Sequence, residues 1–214
     1  MHSILELNNV TKTYHFSNSV FSHWFNKKQE NNAQYHHAVN RVSFSLYPAE
    51  IFGLIGESGS GKTTLARTVM RLTEPSGGSV LFDREDIFKY SQSKLKKSVR
   101  KKIRMIFQHP DAAMNPAFTV QKTIAQAFKT ISDNDGYKDT EELINILHQV
   151  GLNKDYLGKY PHELSGGEKR RVSICRALIS EPRVLFADEP LSGLDVYLQS
   201  QILHLLNAIR IKNE

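Results

Sequence analysis

The sequence predicts an α/β fold with a mostly parallel sheet, and three observations predict it. Ile51-Phe-Gly-Leu-Ile55 is a short apolar run that leads through a glycine-rich loop into the helical pattern Thr64-Leu-Ala-Arg-Thr-Val-Met-Arg-Leu72. Arg183-Val-Leu-Phe-Ala-Asp188 is a second apolar run, placed after a Pro182 break and ending in two acids, Asp188 and Glu189. Between and around these, strand-like and helix-like segments alternate without any internal repeat.

In chain order, Ile4-Leu-Glu-Leu-Asn-Asn-Val10 alternates well enough for a strand. A polar, Asn- and Lys-rich stretch from Ser17 to His37 follows. Inside it Phe21, Trp24 and Phe25 have the spacing of one helical turn with an apolar face. Val42-Ser-Phe-Ser-Leu46 is a strand with apolar residues at alternate positions, and Pro48-Ala-Glu50 turns it into Ile51-Phe-Gly-Leu-Ile55, read as a buried strand. Pro75-Ser-Gly-Gly78 is a turn before the strand Ser79-Val-Leu-Phe82, and Ile103-Arg-Met-Ile-Phe107 is another strand. From Val120 to Leu152 the pattern turns helical, with Leu143, Ile144, Leu147 and Val150 on one face, so this block is expected to be a helical subdomain. Gln199 to Ile211 reads as an amphipathic helix carrying Ile202, Leu203, Leu205, Leu206 and Ile209.

Composition narrows the class. The 214 residues fit one large domain, and no apolar run approaches the roughly 20 residues of a membrane helix or the core of a signal peptide. The single Cys175 excludes a disulfide framework within the chain and a cysteine cluster for zinc or iron–sulfur, so a reducing cytoplasm is the expected setting. A net charge of +6 fits nucleic acid, anionic headgroups or nucleotide phosphates and does not choose among them. The densest basic run, Lys94, Lys96, Lys97, Arg100, Lys101, Lys102 and Arg104, reads as a solvated helix face; it lacks the interleaved aromatics of a nucleic-acid stripe.

Gly56-Glu-Ser-Gly-Ser-Gly-Lys-Thr-Thr64 carries the clearest chemistry, since Gly56, Gly61, Lys62 and Thr63 complete the form G-x-x-x-x-G-K-[ST]. Glycines let successive backbone N–H groups converge on phosphate oxygens, Lys62 reaches the β- and γ-phosphates, and the Thr63 hydroxyl suits Mg²⁺. Asp188, at the end of its strand, can support the metal, and Glu189 can polarise an attacking water. Leu164-Ser-Gly-Gly-Glu168 opens a helix running from Lys169 to about Ser180 and supplies donors at a helix N-terminus; a simple capping turn is the alternative. Glu168 stands twenty residues before Asp188, so one helix leads directly into the acid-tipped strand.

With these motifs in this order, together with Gln108 of Phe107-Gln-His-Pro110 and the run Ser192-Gly-Leu-Asp195, the chain resembles the ATP-binding cassette (ABC) transporter ATPases over almost its whole length. Phe107-Gln-His-Pro-Asp-Ala-Ala-Met-Asn-Pro116, Tyr160-Pro-His-Glu-Leu-Ser-Gly-Gly167 and Leu194-Asp-Val-Tyr-Leu-Gln-Ser-Gln-Ile-Leu203 look like the oligopeptide, dipeptide and nickel importer branch. The resemblance implies a P-loop NTPase core with a mostly parallel sheet and an N-terminal antiparallel β part. A helical subdomain at about 111–175 would be inserted in a single domain spanning 1–214.

It also implies roles. Gly56, Glu57, Ser58, Gly59, Ser60, Gly61, Lys62, Thr63 and Thr64 would hold ATP, with Tyr14 stacking on adenine. Thr63, Gln108 and Asp188 would attend Mg²⁺, and Glu189 would be the general base. Ser165, Gly166, Gly167 and Glu168 would form a signature that acts in trans on ATP bound to a second cassette, and Asp195 would shape that interface. The implied partners are a second ATPase subunit, two transmembrane permease subunits and, indirectly, an extracytoplasmic solute-binding protein. No specific nucleic acid is expected, and the place is the cytoplasmic face of the inner or plasma membrane.

Two departures stand out. Glu168 occupies a position where Gln is more frequent, and the chain ends at Glu214, before a further strand whose histidine contacts the γ-phosphate in similar proteins. None of the nine histidines takes that place; His204 sits within the last helix, and His109 and His162 read as loop residues. The expectation is a cassette that binds Mg-ATP and turns it over slowly. The alternatives are a nucleotide-binding but hydrolysis-impaired truncated cassette and a soluble ABC protein without a transport role.

Overall fold

The computed structural model describes residues 2–16, 34–95, 99–111, 114–129 and 140–212. The chain forms two compact units, Met1–Ser91 and Gln92–Glu214.

In the first unit, β1 (Leu5–Phe16), β2 (Gln34–Leu46), β3 (Gly77–Phe82) and β4 (Glu85–Asp86) make an antiparallel sheet in the order β2-β1-β3-β4. Leu5 and Leu7 point into the core opposite Phe82 and Val80, as period-2 alternation requires. The alternation then slips by one residue, so that Val10 rather than Asn9 is buried. A ladder irregularity accounts for this: Asn9 sits at φ 49°, its amide donates to Ser43 Oγ at 2.8 Å, and the register with β2 shifts between Leu7 and Val10. Gly78 completes the crossing, because at φ 87° an added Cβ would lie 2.4 Å from the Asn9 carbonyl oxygen. Helix α1 (Lys62–Val69) packs on β1 and β2 and buries Leu65, Thr68 and Val69.

The buried strand expected at 51–55 does not form. These residues pair in no ladder, and Ile51 and Ile55 are 72% and 95% exposed. The unit's sheet is antiparallel and takes no part of 51–55 as a neighbour, and an apolar run without a paired neighbour has no ladder in which to bury its backbone. Phe52 is tied down by stacking on Phe44 of β2, ring centroids 4.6 Å apart. The hairpin β1–β2 also runs further than expected, since the polar residues Thr13, Tyr14 and His15 pair with His37, His36 and Tyr35. Main-chain bonds sustain that ladder without an apolar face. The aromatic trio Phe21, Trp24 and Phe25 lies outside the described residues.

In the second unit, the short helices α2 (Gln92–Lys94) and α3 (Arg100–Lys102) precede β5 (Ile103–Ile106). Then come α4 (Val120–Lys129), α5 (Thr140–Gln149), 3-10 turns at Lys154–Gly158 and Pro161–Glu163, α6 (Gly166–Leu178), β6 (Val184–Ala187) and α7 (Val196–Lys212). His162 thus lies in a 3-10 turn rather than an irregular loop, because Pro161 sets the helical φ at the start of that turn. β5 and β6 pair in parallel, Ile103 with Val184 through Ile106 with Ala187, and the helical block is the crossover that parallel pairing demands. Its core gathers Ile124, Leu143, Leu147, Val172, Ile174 and Ile202. Within the basic run, Lys94 and Lys102 are exposed as expected, while Arg104 is drawn inward on β5 and its Nε donates to Ser180 Oγ at 2.9 Å. Burial, and then the charge of Arg176, lower the Arg104 pKa.

α7 starts a turn earlier than its apolar spacing predicts, because Asp195 caps it: Oδ1 accepts from the Leu198 amide at 2.9 Å. Asp195→Ala is expected to cost about 1 kcal/mol, a fall of about 2–4 °C in Tm. Thermal melts of both proteins check this, and an unchanged Tm would show the cap to be idle.

Candidate phosphate and metal site

The glycine-rich loop builds its shape from backbone. The Ser60 amide donates to the Glu57 carbonyl at 3.2 Å, Gly59 has φ 82°, and Gly61 opens α1 at φ 94°. An added Cβ on Gly61 would stand 1.9 Å from the Ala38 carbonyl oxygen, so β2 and the loop touch backbone to backbone. No side chain caps α1, which leaves its N-terminal end to an anion. Lys62 Nζ donates to Gly56 O at 2.7 Å, to Glu57 O at 2.6 Å and to Ser60 Oγ at 3.3 Å. The ammonium is therefore drawn over the loop, where a phosphate would compete for the same protons. Glu57 and Ser58 are exposed, and Thr63 and Thr64 follow in the first turn of α1. Tyr14, in the same unit, lies on β1 and is 37% exposed, with Lys12 Nζ 4.9 Å from its ring centroid. It is an available flat face rather than a core aromatic.

In the second unit, the parallel pair delivers Gln108 and the two acids to one edge. Ile106 pairs with Ala187, the Asp188 amide donates to the Ile106 carbonyl at 3.0 Å, and both strands end there. Ligands of open α/β sheets bind at this carboxyl end. Glu189 is exposed and sits at φ 46° in the turn closed by Ser192, whose amide donates to the Glu189 carbonyl at 3.2 Å.

α6 opens with a reciprocal capping box. Ser165 Oγ accepts from the Glu168 amide at 3.3 Å, and Glu168 Oε2 accepts from the Ser165 amide at 2.7 Å. The Ser165 hydroxyl spends a lone pair on the cap and keeps its proton to donate. Gly167 packs near Leu194, whereas an added Cβ on Gly166 would meet nothing within 4 Å. Tyr156 donates from its hydroxyl to Glu168 Oε1 at 2.6 Å. That bond first, and the Ser165 amide second, hold the Glu168 carboxyl down to about 2; the bond to Glu168, and then burial, raise the Tyr156 phenol. Because the folded pKa is depressed, the stabilisation is complete above about 4.5 and is lost as pH falls toward 2. Glu168→Gln is expected to flatten the fall of Tm between pH 5 and pH 2; parallel Tm-against-pH curves for the two proteins would refute it.

Four residues here were not picked out from sequence: Tyr156, Asp111, Lys169 and Arg170. Lys169 Nζ pairs with Asp111 Oδ1 at 2.6 Å, and Arg170 Nη1 donates to the Phe107 carbonyl at 2.8 Å. Arg170 is only 5% exposed; burial lowers its pKa, and the carboxylates of Glu189 and Asp188 act in the opposite direction. A signal existed, since Arg170 lies in phase with the buried Ile174, Ala177 and Leu178.

Among the described residues no group of three or more His, Cys, Asp or Glu could hold a metal by itself. Mg²⁺ does not need one, because it keeps several waters and takes one or two carboxylates beside substrate phosphates. Thr63, in the first unit, carries a hard oxygen of the kind Mg²⁺ takes, and within the second unit Gln108 and Asp188 each carry one.

The ABC transporter family matches residues 39–192. The oligopeptide transport ATP-binding protein AppF of Bacillus subtilis is 40% identical over 208 residues, 97% of this chain and 61% of that protein. The oligopeptide transport ATP-binding protein OppF of Streptococcus mutans is 42% identical over 188 residues, 87% of this chain and 59% of that protein. The chain thus spans about three fifths of the length of these curated relatives. Among solved structures, the dimeric bacterial ABC transporter cassette MJ0796 is similar with a TM-score of 0.80 at 27% identity, covering 97% of this chain and 83% of that one. The same cassette in a post-hydrolysis state bound to ADP and Pi gives a TM-score of 0.79. By its family match and its peptide-transport relatives, the chain belongs to the ABC transporter family.

Proposed function

We propose that this chain is the ATP-binding and ATP-hydrolysing subunit of an importer for oligopeptides, dipeptides or a similar small solute. The phosphate loop, with Lys62 drawn over it and an uncapped α1 behind it, is the observation that carries the nucleotide. Identities of about 40% to oligopeptide transport ATP-binding proteins support the solute class. In this reading Gly56 through Thr64 bind the triphosphate, and Tyr14 stacks on the base. Thr63, Gln108 and Asp188 give oxygens to Mg²⁺, which shields the phosphate charge. Glu189 takes the proton of the attacking water.

The helical block at about 111–175 leads to a signature, Ser165, Gly166, Gly167 and Glu168, that serves ATP held by a second cassette. Two features support this: the spare Ser165 proton, and a Gly166 that internal packing does not require. Asp195, as the cap of α7, holds the neighbouring turn for the same interface. The remaining partners are two permease subunits and, through them, an extracytoplasmic solute-binding protein; no specific nucleic acid is involved. No described helix is long and apolar enough to cross a membrane; in this reading, attachment at the cytoplasmic face runs through the permeases.

The test is equilibrium binding of a fluorescent ATP analogue with Mg²⁺, phosphate release, and co-purification with co-expressed permease subunits. Saturable binding displaced by ATP, phosphate release and a stable complex are expected. Absence of nucleotide binding would sink the proposal, and binding without a complex would sink its transport half.

A further inference from the structure

We infer that Arg170 is a positioning residue for the metal end of the site, fixing the backbone that carries Gln108 while facing the acid pair at the end of β6. The inference rests on the Mg-ATP reading above. Its first support is burial: an arginine only 5% exposed is retained in a protein only where partners satisfy its charge. Its second is the partner. Arg170 Nη1 binds the Phe107 carbonyl at 2.8 Å, across 63 residues of chain. Because the peptide is planar, pinning that oxygen also sets the direction of the Gln108 amide and the start of its side chain.

The third support is charge. Glu189 and Asp188 are the carboxylates that act on Arg170, and they end the strand paired with β5, so one cation addresses both halves of the edge. Lys169 adds a second tether through Asp111, at the far end of the same 107–111 segment. Asp111 is 69% exposed, and such pairs contribute little, so Arg170 is the stronger of the two. Both tethers leave from the second turn of α6, the helix opened by Ser165. Any displacement of that helix would therefore be delivered to Gln108. Lysine could not reproduce the arrangement, since one ammonium lacks the fork that binds a carbonyl while facing two carboxylates.

The experiment compares the unsubstituted protein with Arg170→Met and Arg170→Lys, measuring ATP affinity in EDTA and across a Mg²⁺ titration. Arg170→Met is expected to leave Mg²⁺-free affinity within about twofold and to raise the half-saturating Mg²⁺ concentration roughly tenfold, with partial recovery in Arg170→Lys. Should Arg170→Met not fold, Asp111→Ala is expected to move the Mg²⁺ titration the same way by about twofold, as befits the weaker tether. A purely structural role would shift both affinities together with Tm, and that result overturns the inference, as does an unchanged Mg²⁺ titration. An unsubstituted protein that binds no ATP overturns the nucleotide reading itself, a failure distinct from binding that ignores Arg170.

Discussion

Replacing Glu189 by Gln is expected to slow ATP hydrolysis by about 10²–10⁴-fold while leaving ATP binding intact. The two side chains have nearly the same shape, so the turn after β6 need not move. What is lost is the ability to take a proton from water as the γ-phosphate departs. The proposed role of Glu189 draws on its exposure and on its position just past the carboxyl end of β6. Asp188 differs: it is partly buried, and its amide belongs to the ladder through the Ile106 carbonyl. Removing a negative charge beside a bound triphosphate also favours the anion, so the variant should bind ATP as tightly as the unsubstituted protein or tighter. Single-turnover phosphate release, read beside equilibrium ATP binding, separates the two effects. Hydrolysis within threefold of the unsubstituted protein would remove Glu189 from the general-base role.

The candidate site was legible where its signals are local. The phosphate loop, the acids after β6 and the capping-box residues Ser165 and Glu168 are each defined by neighbours within a few positions. β5, β6 and α6 were legible for the same reason, since apolar runs and helical spacing are properties of a short window. Residues 51–55 show the limit. Their composition is that of a buried strand, but a strand exists only through ladder partners distant in sequence, and none of the described strands takes that part. Arg170 was missed for a related reason. Its charge advertises a solvated position, and only the 63-residue return to Phe107 makes the burial affordable. The start of α7 was missed because a cap is a single side-chain hydrogen bond, invisible to a search for periodicity.

Alanine at three glycines around the phosphate loop is expected to give a graded loss that follows backbone geometry. Gly53→Ala should be silent, since its Cβ would meet nothing within 4 Å and its φ is not positive. Gly59→Ala adds a left-handed residue at φ 82° in open space, a cost of about 1 kcal/mol. Gly61→Ala combines φ 94° with a Cβ 1.9 Å from the Ala38 carbonyl oxygen. The obstacle there is backbone on both sides, so no rotamer can relieve it. Either β2 must shift near Ala38 or the first turn of α1 must move away, at a cost of about 3 kcal/mol or more. Lys62 follows immediately, so the same movement pulls its ammonium from the Gly56 and Glu57 carbonyls and spoils the convergence of the loop on phosphate. ATP affinity should fall by about tenfold or more for each charge-assisted bond lost. Thermal melts and ATP titrations of the three variants test the order. Equal losses at Gly53, Gly59 and Gly61, or tight ATP binding by the Gly61 variant, would show that the close approach between β2 and the loop does not shape the site.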